Sequence, residues 1–188
     1  MPQKIGRLVL NYLNQNIIDT MAILNVLKTV GRNEESDECY TPINQVKPLL
    51  QYLDNSKTYY EPTSGISSNI IKAFTENGYD MKFNNGKDFF ECTTDDVYDG
   101  IVTNPPYSKK DKFIKHCYNL KKPFALLLPV SSFQGVRRGK QFMEHGMSAI
   151  VYNHRVDFTG GDNPHFGVAW FIHGFLPPNQ IFWVDNSL

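Results

Sequence analysis

Residues 98–130, YDGIVTNPPYSKKDKFIKHCYNLKKPFALLLPV, settle the fold class. YDGIVTN and KPFALLLPV are apolar, partly β-branched runs of buried-strand length. Between them, SKKDKFIKHCYNLKK sets its apolar residues at helical spacing. A strand, a crossover helix and a second strand imply a parallel sheet, because such a connection carries the chain back to the same end of the layer.

Working towards the N-terminus, KTYYEPTSGISSNIIKAFTENG, residues 57–78, repeats the unit. TYYE reads as a short strand, PTSGISS as a tight turn of small residues, and NIIKAF as a helix ending near Gly78. YDMKF, 79–83, reads as the next strand. TPINQVKPLLQYL, 41–53, is predicted to be a helix with Thr41 as its N-cap and Pro42 in the first turn. GRNEESDE, 31–38, is a polar acidic loop. Ahead of it Leu8, Val9, Leu10, Leu13, Ile17, Ile18, Met21, Leu24 and Leu27 recur at helical spacing. In the other direction SAIVYNHRVDF, 148–158, and FGVAWFIHGF, 166–175, are β-rich. The Gly, Asp, Asn and Pro of TGGDNPH, 159–165, make them an antiparallel hairpin. The expected organisation is an N-terminal helical extension over 1–36 and an α/β domain over 37–188, its sheet mostly parallel with a C-terminal antiparallel hairpin.

The 188 residues suffice for one domain with a sizeable core. No apolar run is long enough to span a bilayer and no secretory leader is apparent, so a cytoplasmic protein without membrane contact is expected. Cys39, Cys92 and Cys117 form no CxxC pair, and the five histidines have no metal-like spacing; the cysteines read as reduced packing residues and no metal is expected. Net charge is zero, but its distribution is uneven. Residues 31–100 hold 6 Lys and Arg against 13 Asp and Glu, whereas 101–140 hold 9 against Asp111 alone. That basic segment is a candidate grip for a polyanion; a solvated helix face is the plainer reading.

The turn after the strand at 100–103 carries chemistry. In open α/β folds, ligands bind at the carboxyl edge of the sheet. There Asn104 offers a side-chain carbonyl and Pro105 a backbone carbonyl. Pro106 restricts the residue before it, and Tyr107 supplies a flat ring. Two fixed acceptors beside an aromatic plate suit a planar heterocycle with an exocyclic amine. Accepting both amine protons returns electron density to nitrogen, which can then attack an electrophile without a strong base. The electrophile needs its own turn, and YYEPTSGISS offers Glu61 at a strand end, with Gly65 where a backbone must come close.

Asn-Pro-Pro-Tyr after an apolar strand, preceded by a Glu-Pro-x-x-Gly turn, resembles the amino-group methyltransferases that use S-adenosylmethionine. Among these it is most similar to the DNA adenine methyltransferases that modify N6. CYTP, 39–42, resembles their N-terminal cofactor motif, GKDFFE, 86–91, the segment whose Asp contacts the cofactor adenine, and RVDF, 155–158, the hairpin aromatic that sandwiches a flipped base. The chain is also similar to small methyltransferase-like proteins encoded by bacteriophages. The resemblance spans residues 38 to about 175. Two features depart from it: Ser67 stands where the family has a second glycine, and the acid expected after the second strand is not evident, since Asp80 comes too early and Asn84 and Asn85 are not acids.

This resemblance implies a Rossmann-like class I methyltransferase sheet. It implies a catalytic turn of Asn104, Pro105, Pro106 and Tyr107. The cofactor, S-adenosylmethionine, would be held by Tyr40, Thr41, Pro42, Glu61, Thr63, Gly65, Asp88, Phe89 and Asn104. Substrate contacts would come from Tyr107, Phe158, Lys109, Arg137 and Arg138; Phe166 competes with Phe158. The expected partner is nucleic acid, DNA ahead of RNA, gripped mainly through phosphates, with a second protein as a source of target specificity. The same turn also serves RNA adenine, cytosine or a protein glutamine, and a non-catalytic binding protein is the alternative from outside enzymology.

Overall fold

The computed structural model describes residues 41–64, 68–84, 86–156, 158 and 166–185. The chain divides into two units, Met1–Glu38 and Cys39–Leu188, and every described residue falls in the second. The helices expected within 1–36, the hairpin joint at 159–165, Cys39, Tyr40 and Gly65 lie outside the described residues.

Seven strands form one sheet: β1 Thr58–Glu61, β2 Asp80–Phe83, β3 Gly100–Thr103, β4 Phe124–Pro129, β5 Ser148–Tyr152, β6 Val168–His173 and β7 Ile181–Val184. Their spatial order is β2-β1-β3-β4-β6-β5-β7. All neighbours pair in parallel except β6, which lies antiparallel between β4 and β5. The expected mostly parallel sheet with an antiparallel hairpin is the one observed. β3 and β4 are buried at every position, which explains their unbroken apolar runs: helices cover both faces, so no residue alternates into water.

Four helices make those layers. α1 (Ile43–Leu50) and α2 (Asn69–Glu76) lie on one face, and α3 (Lys110–Asn119) and α4 (Val136–His145) on the other. Register fixes the faces, because side chains alternate along a strand and paired residues share a side. Tyr59 meets Phe74 of α2 edge-on, and Trp170 donates its Nε1–H to the Gln45 carbonyl of α1 at 3.0 Å. On the opposite face Tyr118 of α3 packs against Phe124 and His173, and Phe142 of α4 against Phe171. α2 begins as its sequence suggests: Ser68 Oγ accepts the Ile70 N–H at 3.2 Å, satisfying one of the donors a helix start leaves over. At the start of β3 a side chain would have to displace the Phe175 ring. A Cβ on Gly100 would stand 2.5 Å from the Phe175 ring.

Several expectations need correction. Pro42, not Thr41, occupies the cap position of α1. Thr41 stands one residue outside the helix, and its hydroxyl serves the candidate site instead. β5 ends at Tyr152, six residues short of the strand read as far as Phe158. Neither α4 nor β7 is among the elements expected from the sequence: α4 packs through the half-buried Phe142, and the β7 sequence IFWV is only four residues long, although Pro177, Pro178 and Asn179 mark a turn ahead of it. Among the described residues no helix is long and apolar enough to cross a membrane. Cys92 and Cys117 are buried and free.

Candidate active site

The strand order reverses between β1 and β3. From β1 the chain moves outward to β2, and from β3 it moves the other way to β4. Such a switch point opens a crevice at the carboxyl ends of the two strands. Glu61 is the last residue of β1, and Thr103 the last of β3, with Asn104 next. The two turns read from the sequence therefore flank one crevice.

They are also bonded to each other. Glu61 is fully buried. The Thr63 N–H and Oγ1–H donate to its Oε1 at 2.9 and 2.8 Å, and the Thr103 hydroxyl donates to the same oxygen at 2.6 Å. Thr63 Oγ1 and Thr103 Oγ1 stand 2.8 Å apart, and Thr63 Oγ1 reaches the Asn104 backbone carbonyl at 3.5 Å. Burial is the largest influence on the carboxyl and pushes it up to about 7; the Thr103, Thr63 and Ser64 donors favour the ionised form and only partly offset it. Oε2 is buried and takes no hydrogen bond of normal geometry from the described residues. A buried carboxylate oxygen in that state fits a cationic ligand.

Asn104 is half-buried, and its Nδ2 donates to Thr41 Oγ1 at 3.1 Å. This contact joins the chain ahead of α1 to the β3 turn and orients the amide, with the NH2 group towards Thr41 and Oδ1 as its accepting end. Pro105 is buried, and Pro106 caps a 3-10 turn, Tyr107–Lys109. The Tyr107 ring is 7% exposed and meets Phe166 edge to face, centroids 5.9 Å apart at 76°. Lys110 Nζ donates to the Tyr107 carbonyl at 3.0 Å and steadies the turn. Of the two aromatics that competed for a place beside Tyr107, Phe166 is the one in ring contact; Phe158 is half-buried and packed on the core.

The remaining site residues fall less simply. Asp88 is exposed and caps a 3-10 turn, Phe89–Glu91, with Oδ1 accepting the Phe90 N–H at 3.0 Å. Phe89 turns inward. One face stacks on Phe113 at 5.1 Å, and His116 meets it edge-on at 4.9 Å, so packing takes up the ring expected to touch a cofactor. Arg137 and Lys109 are exposed. Arg138 is committed inside the fold: its Nε donates to the Ser132 carbonyl at 3.0 Å, and its terminal nitrogens go to Asp111 and the Gln134 carbonyl. It ties α3 to α4 and is not positioned as a phosphate grip. Lys112 lies over the Phe90 ring at 3.6 Å, and Lys122 donates to the Asp96 and Tyr98 carbonyls at 2.8 Å each. The basic segment is thus partly spent on structure. Sequence reading missed Thr103. Its only signal is a hydroxyl at the end of an otherwise apolar strand.

No family model matches the chain, and no curated protein does. Solved structures do. One, provisionally assigned as a class I S-adenosylmethionine-dependent methyltransferase from Listeria monocytogenes, has a TM-score of 0.54 and 12% identity over 90% of this chain and 71% of its own. Another, provisionally assigned as the modification subunit of a type I restriction enzyme from Vibrio vulnificus, has a TM-score of 0.52 and 12% identity over 88% of this chain. The chain spans 50% of that subunit's length. At this identity the likeness is one of fold, and the fold is the Rossmann-like sheet of class I methyltransferases.

Proposed function

We propose that this chain is an S-adenosylmethionine-dependent N-methyltransferase acting on an exocyclic amine, with adenine N6 of DNA as its substrate. One observation carries the reading. An amine-accepting turn, Asn104-Pro105-Pro106-Tyr107, and a buried carboxylate turn, Glu61-Pro62-Thr63, flank the sheet's switch point and are hydrogen-bonded through Thr103 and Thr63.

Thr41, Pro42, Glu61, Thr63 and Asp88 would hold the cofactor, with Tyr40 and Gly65 beside them in the sequence. When bound, the cofactor supplies a methyl group on a positively charged sulfur, open to displacement by nitrogen. The chain's own residues align and polarise the acceptor. Asn104 Oδ1 and the Pro105 carbonyl accept the two amine protons, and the Thr41 contact keeps the Asn104 amide turned for that task. Tyr107 offers a ring for the base to lie against, with Phe166 at its edge. A duplex adenine must leave the stack to reach this crevice. The restriction-modification description of the Vibrio vulnificus structure supports nucleic acid as the substrate class. The reading includes a protein partner as a source of target specificity.

A tritiated-methyl assay across DNA, RNA and protein, followed by mass spectrometry of the labelled product, tests this. The expected product is N6-methyladenine in DNA. Label confined to protein would move the substrate to an amide side chain, and no transfer alongside normal cofactor binding would leave a binding protein.

A further inference from the structure

The contact between the two turns does not balance for an ionised carboxylate. Glu61 Oε1, Thr63 Oγ1 and Thr103 Oγ1 form a triangle with sides of 2.8, 2.8 and 2.6 Å. Each side is a hydrogen-bond length and needs one proton. The two hydroxyls bring two, and a proton on Oε1 brings the third; in that neutral form one threonine hydroxyl accepts from Oε1 and donates to the other, which donates back to Oε1. Burial of the whole carboxyl, with Oε2 lacking a partner among the described residues, favours that neutral form and outweighs the Thr63 and Ser64 N–H donors that favour the ionised one. Among the described residues no cation acts on the carboxyl. β2 sets Phe83 opposite Glu61 and β3 sets Thr103 beside it. Tyr59 and Tyr60 are the other titratable groups on its strand, and Tyr60 feels the Glu61 charge as a like-sign one.

Resting on the cofactor reading above, we propose that Glu61 is a proton-linked positioning residue: neutral in the free protein, where it closes a three-proton ring with Thr63 and Thr103, it gives its proton to solvent when the positive charge of the cofactor arrives at Oε2. The balance is one proton to the buffer for each cofactor bound, with no bond made or broken in the ligand. The ring also reaches the Asn104 carbonyl through Thr63 Oγ1, so the ionisation that admits the cofactor reorders the hydroxyls beneath the amine-accepting turn. Cofactor affinity then rises with pH up to about 7, where Glu61 titrates in the free protein, and levels off above it. Below that point the slope is roughly tenfold per pH unit, as expected for one proton released.

Two measurements test this on the full chain. Carbon-13 NMR of glutamate-labelled protein follows the Glu61 carboxyl, assigned by its loss in Glu61→Gln. Without ligand it should titrate near neutrality, and with saturating S-adenosylmethionine it should stay ionised to lower pH. Calorimetry at pH 6.5 in buffers of different ionisation enthalpy counts the protons. Wild type and Thr103→Ser, which keeps the hydroxyl, should release about one. Glu61→Gln should release none, and its affinity should not change with pH. Thr103→Val opens the ring, so its carboxyl should titrate at a different pH. A Glu61 carboxyl already ionised at pH 6 in the free protein overturns the proposal, as does cofactor binding with no proton release. No heat from the wild type in any buffer overturns the proposed function instead, and the linkage falls with it.

Discussion

α3 and α4 cover the same face of the sheet and are joined by the Arg138–Asp111 pair, yet they are held differently. α3 buries Phe113, Ile114 and Cys117, and its Phe113 closes an aromatic cluster with Phe89 and Phe90. α4 buries nothing, and leaves Val136 81% and Met143 80% exposed. The sheet repeats the contrast. Around β1 and β3 the chain closes a buried polar network. At the far edge β7 holds Ile181 and Trp183 in water. Order is concentrated where the two candidate turns meet, and the opposite end of the sheet is lightly packed. Substitutions that break or sharpen this contrast should differ by several kcal/mol.

The largest effect should come from truncating an anchor of α3. Phe113→Ala removes a core ring and should cost about 3–5 kcal/mol in urea or thermal unfolding. Phe142→Ala in α4 should cost well under half of that, because its ring is only partly buried. Equal losses would mean that α4 is anchored as firmly as α3.

Next in size is chemistry without stability. Asn104→Ala should lower methyl transfer by about 3–4 kcal/mol, roughly 10²–10³-fold, by analogy with a lost oxyanion donor. Cofactor affinity should change little, because the amide oxygen faces the acceptor. A matching loss of cofactor affinity would mean that Asn104 serves the donor side as well.

Legibility follows the same contrast. Packed elements announce themselves: the all-buried β3 and β4 are unbroken apolar runs, and α3 shows its helical stripe. The candidate turn stands out in the sequence because two prolines and an asparagine have few reasons to stand together after a buried strand. What escaped is what packs weakly or acts through bonds between distant residues. α4 meets the sheet through the half-buried Phe142 and leaves Val136 and Met143 exposed, and β7 forms by pairing with β5, far along the chain. Thr103 matters through a bond to Glu61, 42 positions away, and no local pattern records that. Arg138 looked like a phosphate ligand because charge is visible in a sequence and its partner, Asp111, is not.

The pH dependence of stability sharpens the polar side of the comparison. Glu61 titrates near 7 in the folded chain, above its ordinary 4.5. Its neutral form therefore stabilises the fold fully below 4.5, and that contribution fades as pH rises through 7. His116, which burial shifts downward, acts in the opposite direction and loses stability as pH falls. The difference between wild type and Glu61→Gln isolates the carboxyl. Ligand-free wild type should fall relative to the variant in thermal midpoint between pH 5 and pH 8. A constant difference across that range would mean an ionised carboxylate throughout.

Arg137 and Arg138 divide the same question between adjacent residues. Arg138→Ala should destabilise the chain by about 1 kcal/mol, since it strips a cation from two backbone carbonyls as well as from the half-exposed Asp111. Arg137→Ala should leave stability unchanged and should lower the salt dependence of DNA binding by about one unit, the share of a single phosphate contact. Binding titrated between low and moderate salt decides it. An unchanged slope would place the phosphate grip elsewhere, with Lys115 and Lys140 as the next exposed candidates.

The smallest expected effect lies at the lightly packed end. Met143→Ala and Trp183→Ala each remove a large apolar side chain, yet both are more than two-thirds exposed, at 80% and 71%. Apolar stabilisation scales with area withdrawn from water, and here little is withdrawn. Each substitution should shift unfolding by no more than about 0.5 kcal/mol, the usual range for surface positions. The sign is informative even when the size is small. Exposed aromatic area also favours self-association, so Trp183→Ala should move any self-association to higher concentration. A loss above about 1 kcal/mol, measured in urea, would show that these side chains are covered in solution. The contrast between the two ends of the sheet would then be one of partners rather than of packing.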